Sequence, residues 1–321
     1  MALEMRARCE RCETAALPPG GPARICSYEC TFCEACAAAM GQVCPNCGGE
    51  LVPRPRRAVP AAANTGRVGV IGVGEIGRAL VDGLCAGAGE PPEILLSPRG
   101  SRTSAELAGR YPNVRVCADN QDVVDGSDVV VLAVRPQDRT EALAGLRVGG
   151  DRVVVSLMAG VGIDELRRTL GTGVPLVRAI PLPAVRERRS VTVTYPAHPV
   201  VDALFDGLGG ALPVADEAGF GVFSALTGTL TSHYGYLATL TAWAARQGVP
   251  AEAAERYVRG LFQGVARSLG DDSRSLHQLA GDHETPNGIN ERIRTTWFDS
   301  ANAESLTEAL DALLADLRRS G

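Results

Sequence analysis

Eight of the ten cysteines lie between Cys9 and Cys47, and only Cys85 and Cys117 serve the rest of the 321-residue chain. They fall in pairs: Cys9 and Cys12, Cys26 and Cys30, Cys33 and Cys36, Cys44 and Cys47. Three of the four pairs have two residues between the thiols, a spacing that lets both sulfurs reach one tetrahedral ion. A segment of this size buries too little apolar surface to fold unaided, so metal or disulfides must supply the rest. The first residues, Met1 to Glu10, carry charges and no apolar core, which reads as a chain without a secretory signal. The expected location is therefore the cytoplasm, where a reducing environment favours metal over disulfides. Eight thiolates match two zinc ions, in closed sites with no open position for chemistry, hence a structural or docking role.

The order of these pairs resembles the cross-brace of RING-type domains, and the stretch from Ala23 to Glu50 is similar to a short bacterial zinc-domain family of unknown function. The resemblance spans about residues 4–57. It implies that Cys9, Cys12, Cys33 and Cys36 share one ion, and that Cys26, Cys30, Cys44 and Cys47 share the other. Cys30 stands where RING domains usually carry His. Sequential pairing of neighbours remains the alternative partition.

The overall charge of −5 gives no general attraction to nucleic acid or anionic membrane. Residues 1–66 hold seven Arg against six Glu, so nucleic acid is not the expected partner of the small domain either. Arg54, Arg56 and Arg57 read as a solvated charge run. The longest apolar runs, such as Val129 to Val134, are too short to span a bilayer. The chain contains no Lys, which excludes a P-loop lysine and Schiff-base catalysis.

After a Pro- and Ala-rich stretch, residues 51–66, expected as an extended linker, Arg67 to Ile71 is a short apolar strand. It leads into Gly72-Val73-Gly74-Glu75-Ile76-Gly77 and then a helical run. In that setting Gly72 makes the tight turn, Gly74 lets a pyrophosphate approach the backbone, and Gly77 lets helix pack on strand. The helix N-terminus offers free N–H groups to the phosphates. The second strand, Glu93 to Leu96, ends in Ser97-Pro98-Arg99-Gly100-Ser101-Arg102 rather than in a carboxylate. A hydroxyl and two guanidiniums there suit a 2′-phosphate, so NADPH is expected over NADH. Further strands are expected near residues 114–116, 128–134, 152–157 and 176–180, with helices at 104–110 and 163–170. The fold class that follows is an α/β Rossmann-type doubly wound parallel sheet. From Asp216 the sequence reads as helices: a long one over 220–245, then 251–269 and 305–318. The domain plan is thus residues 1–50, linker 51–66, dinucleotide-binding domain 67–215 and an all-α domain 216–321.

The glycine run, Ser97-Pro98-Arg99, Leu132 to Gln137, Ser156 to Val161 and Val177 to Pro183 together resemble pyrroline-5-carboxylate reductase, over roughly residues 67–298. The resemblance implies an NADPH-dependent reductase of a cyclic imine, working as a homodimer or larger homo-oligomer through its helical domain. It implies cofactor contacts from Gly72, Gly74, Glu75, Ile76, Gly77, Ser97, Arg99, Asn120, Val134, Arg135 and Ala159. Three substrate segments depart from the family pattern: Pro181-Leu182-Pro183, Thr227 to Thr231, and Pro286 to Asn290. Within or beside them Thr229, His233 and Asn290 are the candidate catalytic residues. The alternatives are a different imine or carbonyl substrate, or a non-catalytic NADPH-binding protein whose zinc domain docks a protein partner.

Overall fold

The computed structural model describes residues 6–320 apart from 7, 13, 16, 18–22, 56–65, 88 and 272. The chain divides into two compact units, residues 1–65 and 66–321.

In the first unit, β1 (Arg24–Ile25) lies between β2 (Thr31–Phe32) and a later strand, and α1 (Glu34–Ala39) follows β2 directly. The later strand, β3 (Val52–Pro53), pairs antiparallel with β1. Leu17, Phe32, Ala37 and Leu51 form the core, packed among the buried Cys9, Cys26 and Cys44. So few apolar side chains cannot offset the entropy of ordering the segment. Residues 51–66, expected as an extended spacer, therefore begin inside the fold. Leu51 is buried, and so is Arg54, whose guanidinium donates to the carbonyls of Arg6 (3.0 Å) and Leu17 (3.1 Å). The rest of that stretch, with Arg56 and Arg57, lies outside the described residues.

The second unit alternates strand and helix: β4 (Val68–Ile71), α2 (Glu75–Cys85), β5 (Ile94–Leu96), α3 (Ser101–Arg110), β6 (Val114–Val116), α4 (Asn120–Gly126) and β7 (Val129–Leu132). It continues with α5 (Arg139–Leu143), β8 (Val153–Ser156), α6 (Ile163–Leu170), β9 (Leu176–Ile180), β10 (Thr192–Tyr195), α7 (Pro199–Asp206) and β11 (Ala211–Pro213). The strand order is β11-β10-β9-β8-β7-β4-β5-β6. The apolar runs are explained by burial on both faces of the sheet. Val129 and Val131 join the layer that holds Leu80 and Leu107, while Val130 and Leu132 join the one that holds Val123 and Leu166.

The sheet is mixed rather than wholly parallel, because β10 runs antiparallel to β9. The connection between them holds only a 3-10 turn, Pro183–Glu187. A parallel return needs a crossover of a dozen or more residues, commonly a helix.

A helical part completes the unit: α8 (Glu217–Leu226), α9 (Thr229–Arg246), α10 (Ala251–Ser268), α11 (Leu276–Asp282), α12 (Ile289–Thr296) and α13 (Ser300–Ser320). The single helix expected over 220–245 is broken at Thr227 and Gly228. There the Thr227 and Thr229 hydroxyls donate to the carbonyls of Ser224 (2.7 Å) and Leu226 (2.8 Å), side-chain bonds that compete with the helical ladder. Tyr236 of α9 stacks on Trp297 at 5.2 Å and meets Phe262 of α10 edge-on at 5.7 Å. Tyr236 is half-buried, α9 buries none of its residues, and Leu230, Tyr234, Trp243, Tyr257 and Leu261 stand exposed across α9 and α10. Among the described residues no helix is long and apolar enough to cross a membrane.

Helix α2 packs closely on the 3-10 turn at Gly83, where an added Cβ would lie 2.2 Å from the carbonyl oxygen of Val185. Gly83→Ala should therefore cost about 1–3 kcal/mol, the usual range for overpacking. Urea unfolding checks this, and an unchanged midpoint would mean that helix and turn are free to separate.

Candidate cofactor cleft and cysteine clusters

β4 has β5 on one side and β7 on the other, so the chain leaves its carboxyl end at the point where strand order reverses. In open α/β sheets that crevice is where ligands bind. Gly72 takes φ +97°, and a Cβ there would lie 2.7 Å from the carbonyl carbon of Ala133. Both the backbone conformation and the neighbouring strand demand glycine. A Cβ on Gly77 would lie 2.4 Å from the Gly72 carbonyl oxygen, so this residue lets α2 start directly against the turn. Gly74 caps α2 with extended backbone, no side chain caps the helix, and nothing stands within 4 Å of where its Cβ would be. The helix N-terminus is thus open for an anion.

Ser97 lies beneath this turn. It is buried, and its Oγ accepts a 3.0 Å hydrogen bond from the Gly72 N–H, while its carbonyl accepts from Ser104 Oγ. Val134 packs beside Gly72. Glu75 is exposed at the start of α2 and pairs with Arg186 at 3.0 Å.

Two cavities lie near the turn, one at the loop after β5 and one reached by Ile76 of α2. The first, about 390 Å³, is lined by Arg99, Asn120 and Glu141 among others. Asn120 Nδ2 donates to the Ala142 carbonyl at 3.0 Å, and Arg99 Nη1 lies 2.9 Å from Glu141 Oε2. Arg135 is exposed and pairs with Asp138 at 2.8 Å. The second cavity, about 110 Å³, brings Ile76 and Ala159 together with Pro181, Phe220, Ser224 and Thr227. Thr227 opens the expected substrate segment Thr227 to Thr231, whereas Ser224 was not singled out from the sequence; its signal is the four-residue spacing that puts it on one face of α8 with Phe220.

The candidate catalytic residues are not gathered at that cavity. Thr229 Oγ1 is spent on the Leu226 carbonyl, and Asn290 Nδ2 donates to the His283 carbonyl at 2.7 Å. His233 is exposed and packs edge-on against Phe262 at 6.1 Å.

In the first unit the sulfurs of Cys9, Cys12, Cys33 and Cys36 lie within 4.8 Å of one another, and so do those of Cys26, Cys44 and Cys47. Cys33 also caps α1, its Sγ accepting from the Cys36 N–H at 3.4 Å. Cys30 borders the second set and accepts from Asn46 Nδ2 at 3.5 Å. The thiols divide their protons unequally. The Thr14 hydroxyl and nearby backbone N–H groups hold Cys12 down to about 6, whereas the Cys33 sulfur pushes Cys36 up to about 12. In the second set burial raises Cys26, but the Tyr28 N–H and Cys47 sulfur outweigh it and bring it to about 7. Cys47 goes the other way, to about 11: the Gly49 N–H lowers it, but burial and the Cys26 and Cys44 sulfurs prevail. Sulfurs this close cannot all ionise without a cation to offset their charge, so each set is fitted to chelate a metal.

Sheet order and glycine turn define a dinucleotide-binding Rossmann fold with a helical C-terminal part. Residues 67–160 match a family described as "NADP oxidoreductase coenzyme F420-dependent", and residues 2–57 match one described as "protein of unknown function (DUF1272)". Pyrroline-5-carboxylate reductase of Corynebacterium melassecola is 30% identical over 237 residues, covering 69% of this chain and 86% of that protein. The chain belongs to the pyrroline-5-carboxylate reductase family, and hence to the NAD(P)H-linked oxidoreductases. A crystal structure of the Coxiella burnetii enzyme has the same fold, with a TM-score of 0.68 at 23% identity over 80% of this chain and 99% of that one. Over 56 residues, 17% of this chain and 67% of the other, the chain is 54% identical to an uncharacterised protein of Rhizobium meliloti.

Ser97→Ala would leave the Gly72 N–H without its acceptor beneath the turn. The expected cost is about 1–3 kcal/mol, read from urea unfolding. A loss below about 0.5 kcal/mol would show that the turn holds without this bond.

Proposed function

We propose that the chain is an NADPH-dependent reductase of a cyclic imine, with pyrroline-5-carboxylate as its first substrate and proline as the product. The observation that carries this reading is the open α2 N-terminus, with one cavity lined by Arg99 and Asn120 at the loop after β5 and another lined by Ile76 and Ala159. A dinucleotide spanning the turn would place its adenosine end at the first and its nicotinamide at the second.

Gly72, Gly74, Glu75 and Gly77 would hold the pyrophosphate on the α2 backbone, with Ser97 fixing the turn from below. Val134, Arg135 and Asn120 would flank the dinucleotide, and Arg99 would meet the 2′-phosphate. Ile76 and Ala159 would form an apolar wall that excludes water from the reacting carbon. A reduced nicotinamide, when bound, supplies the hydride to the imine carbon. The imine nitrogen takes up a proton, for which Asn290, Thr229 and His233 are the proposed donors or orienting groups. We infer that these residues act with a second copy of the chain, whose docking on the exposed apolar side chains of α9 and α10 would complete the pocket. The two cysteine sets would each hold a zinc ion in a structural role, with a protein partner for the small unit as a further reading. The cytoplasm, where thiolates stay reduced, is the proposed location.

Two measurements test this. NADPH oxidation, followed by near-ultraviolet absorbance with pyrroline-5-carboxylate, should be robust in the wild type. It should fall about tenfold or more in Gly74→Asp, because ~1.4 kcal/mol of repulsion between carboxylate and pyrophosphate is already a factor of ten. Absence of turnover despite NADPH binding would redirect the search to other imines or carbonyl compounds, or to a non-catalytic role. Elemental analysis should find two zinc ions per chain in the wild type and one in Cys12→Ser; any other wild-type count would refute the two-ion reading.

A further inference from the structure

By the sequence, the adenosine end of the cleft lacks a carboxylate, since β5 runs into Ser97-Pro98-Arg99. The folded chain brings two there from later segments: Asp119, whose Oδ1 caps α4 by accepting from the Asp122 N–H at 2.8 Å, and Glu141. Glu141, on α5, lies 2.9 Å from the Arg99 guanidinium, and both side chains line the 390 Å³ cavity beside Asn120. We propose that Glu141 sets the choice of cofactor by competing with the 2′-phosphate of NADPH for Arg99, so that the chain accepts NADH more readily than its Ser-Pro-Arg loop suggests. The inference rests on the reading of this cavity as the adenosine site.

The Arg99 guanidinium pairs with Glu141, and a guanidinium offers one planar fork of donors to an anion. A 2′-phosphate reaching Arg99 must displace the carboxylate or share the guanidinium with it, and either course weakens the gain from the added phosphate. A ribose 2′-hydroxyl meets the opposite situation. It carries no charge, and a carboxylate is the acceptor that NAD-preferring sites use to bind it. Glu141 thus opposes NADPH and favours NADH through one group. Arg99 is 52% exposed and Glu141 74%, so solvent screens the pair and the effect is modest. Exposed pairs of this kind correspond to about two- to fivefold in an equilibrium constant.

The test is fluorescence titration of the full chain with NADPH and NADH, together with calorimetric titration with adenosine 2′,5′-bisphosphate and 5′-AMP, which probe the adenosine end alone. Glu141→Gln should tighten NADPH and the bisphosphate about two- to fivefold, and should not tighten NADH or AMP. Arg99→Ala should act in the opposite sense and lower the preference for the bisphosphate over AMP. An unchanged NADPH-to-NADH ratio in Glu141→Gln, or equal tightening of both, overturns the proposal while leaving the reductase reading intact. An unchanged bisphosphate preference in Arg99→Ala also overturns it, by removing Arg99 from the site. A wild type that binds neither dinucleotide refutes the reductase reading itself, and the inference with it.

Discussion

Everything in the larger unit is arranged around the contact between residue 77 and the carbonyl of Gly72. A side chain at 77 would overlap that oxygen at 2.4 Å, so only glycine lets α2 begin so near the end of β4. Once α2 begins there, its N-terminal N–H groups lie at the carboxyl end of β4, where strand order reverses. The bond from the Gly72 N–H to Ser97 ties the turn to the end of β5, and Ala133 of the β7 end presses on it from the other side. Three parallel strands thus converge on one turn, which gives the turn its shape before any ligand is considered.

The two units of the chain solve the problem of cohesion by different means. The larger one covers both faces of its sheet, so that Val68, Val70, Val129 and Val131 on one side and Ile71, Val130 and Leu132 on the other are all buried. The smaller one has a handful of apolar side chains and two crowded sets of sulfur. Its stability is therefore tied to deprotonation and to whatever cation offsets the charge, while that of the sheet is tied to area removed from water.

Local patterns in the sequence translated well into structure, because their physical cause is itself local. Valine runs became strands buried on both faces, and the glycine spacing became a turn with the geometry it demands. The eight cysteines sit in two neighbourhoods whose membership follows the alternation of pairs, with Cys30 bordering the second set. What the sequence hid depends on segments meeting from far apart. The reversal of β10 follows from a connection too short for a crossover helix, and the helix break at Thr227 from hydroxyls that turn back on the backbone. Ser97, expected as a phosphate ligand, has the further task of supporting the turn from within. Arg99 meets a carboxylate from Glu141 of α5, a pairing that no reading of the loop alone could supply.

Arg54 gives the small unit an edge that lies beyond its last cysteine. Its buried guanidinium holds the carbonyls of Arg6 and Leu17, and Val52 and Pro53 just before it form the outer strand against β1. A fragment cut after Glu50 would keep every sulfur and still lose a strand, the buried Leu51 and the clasp on its own beginning. Excised after Pro55, the same fragment would carry its closing side chain with it, so the useful place to divide this protein is set by an arginine rather than by the last thiol.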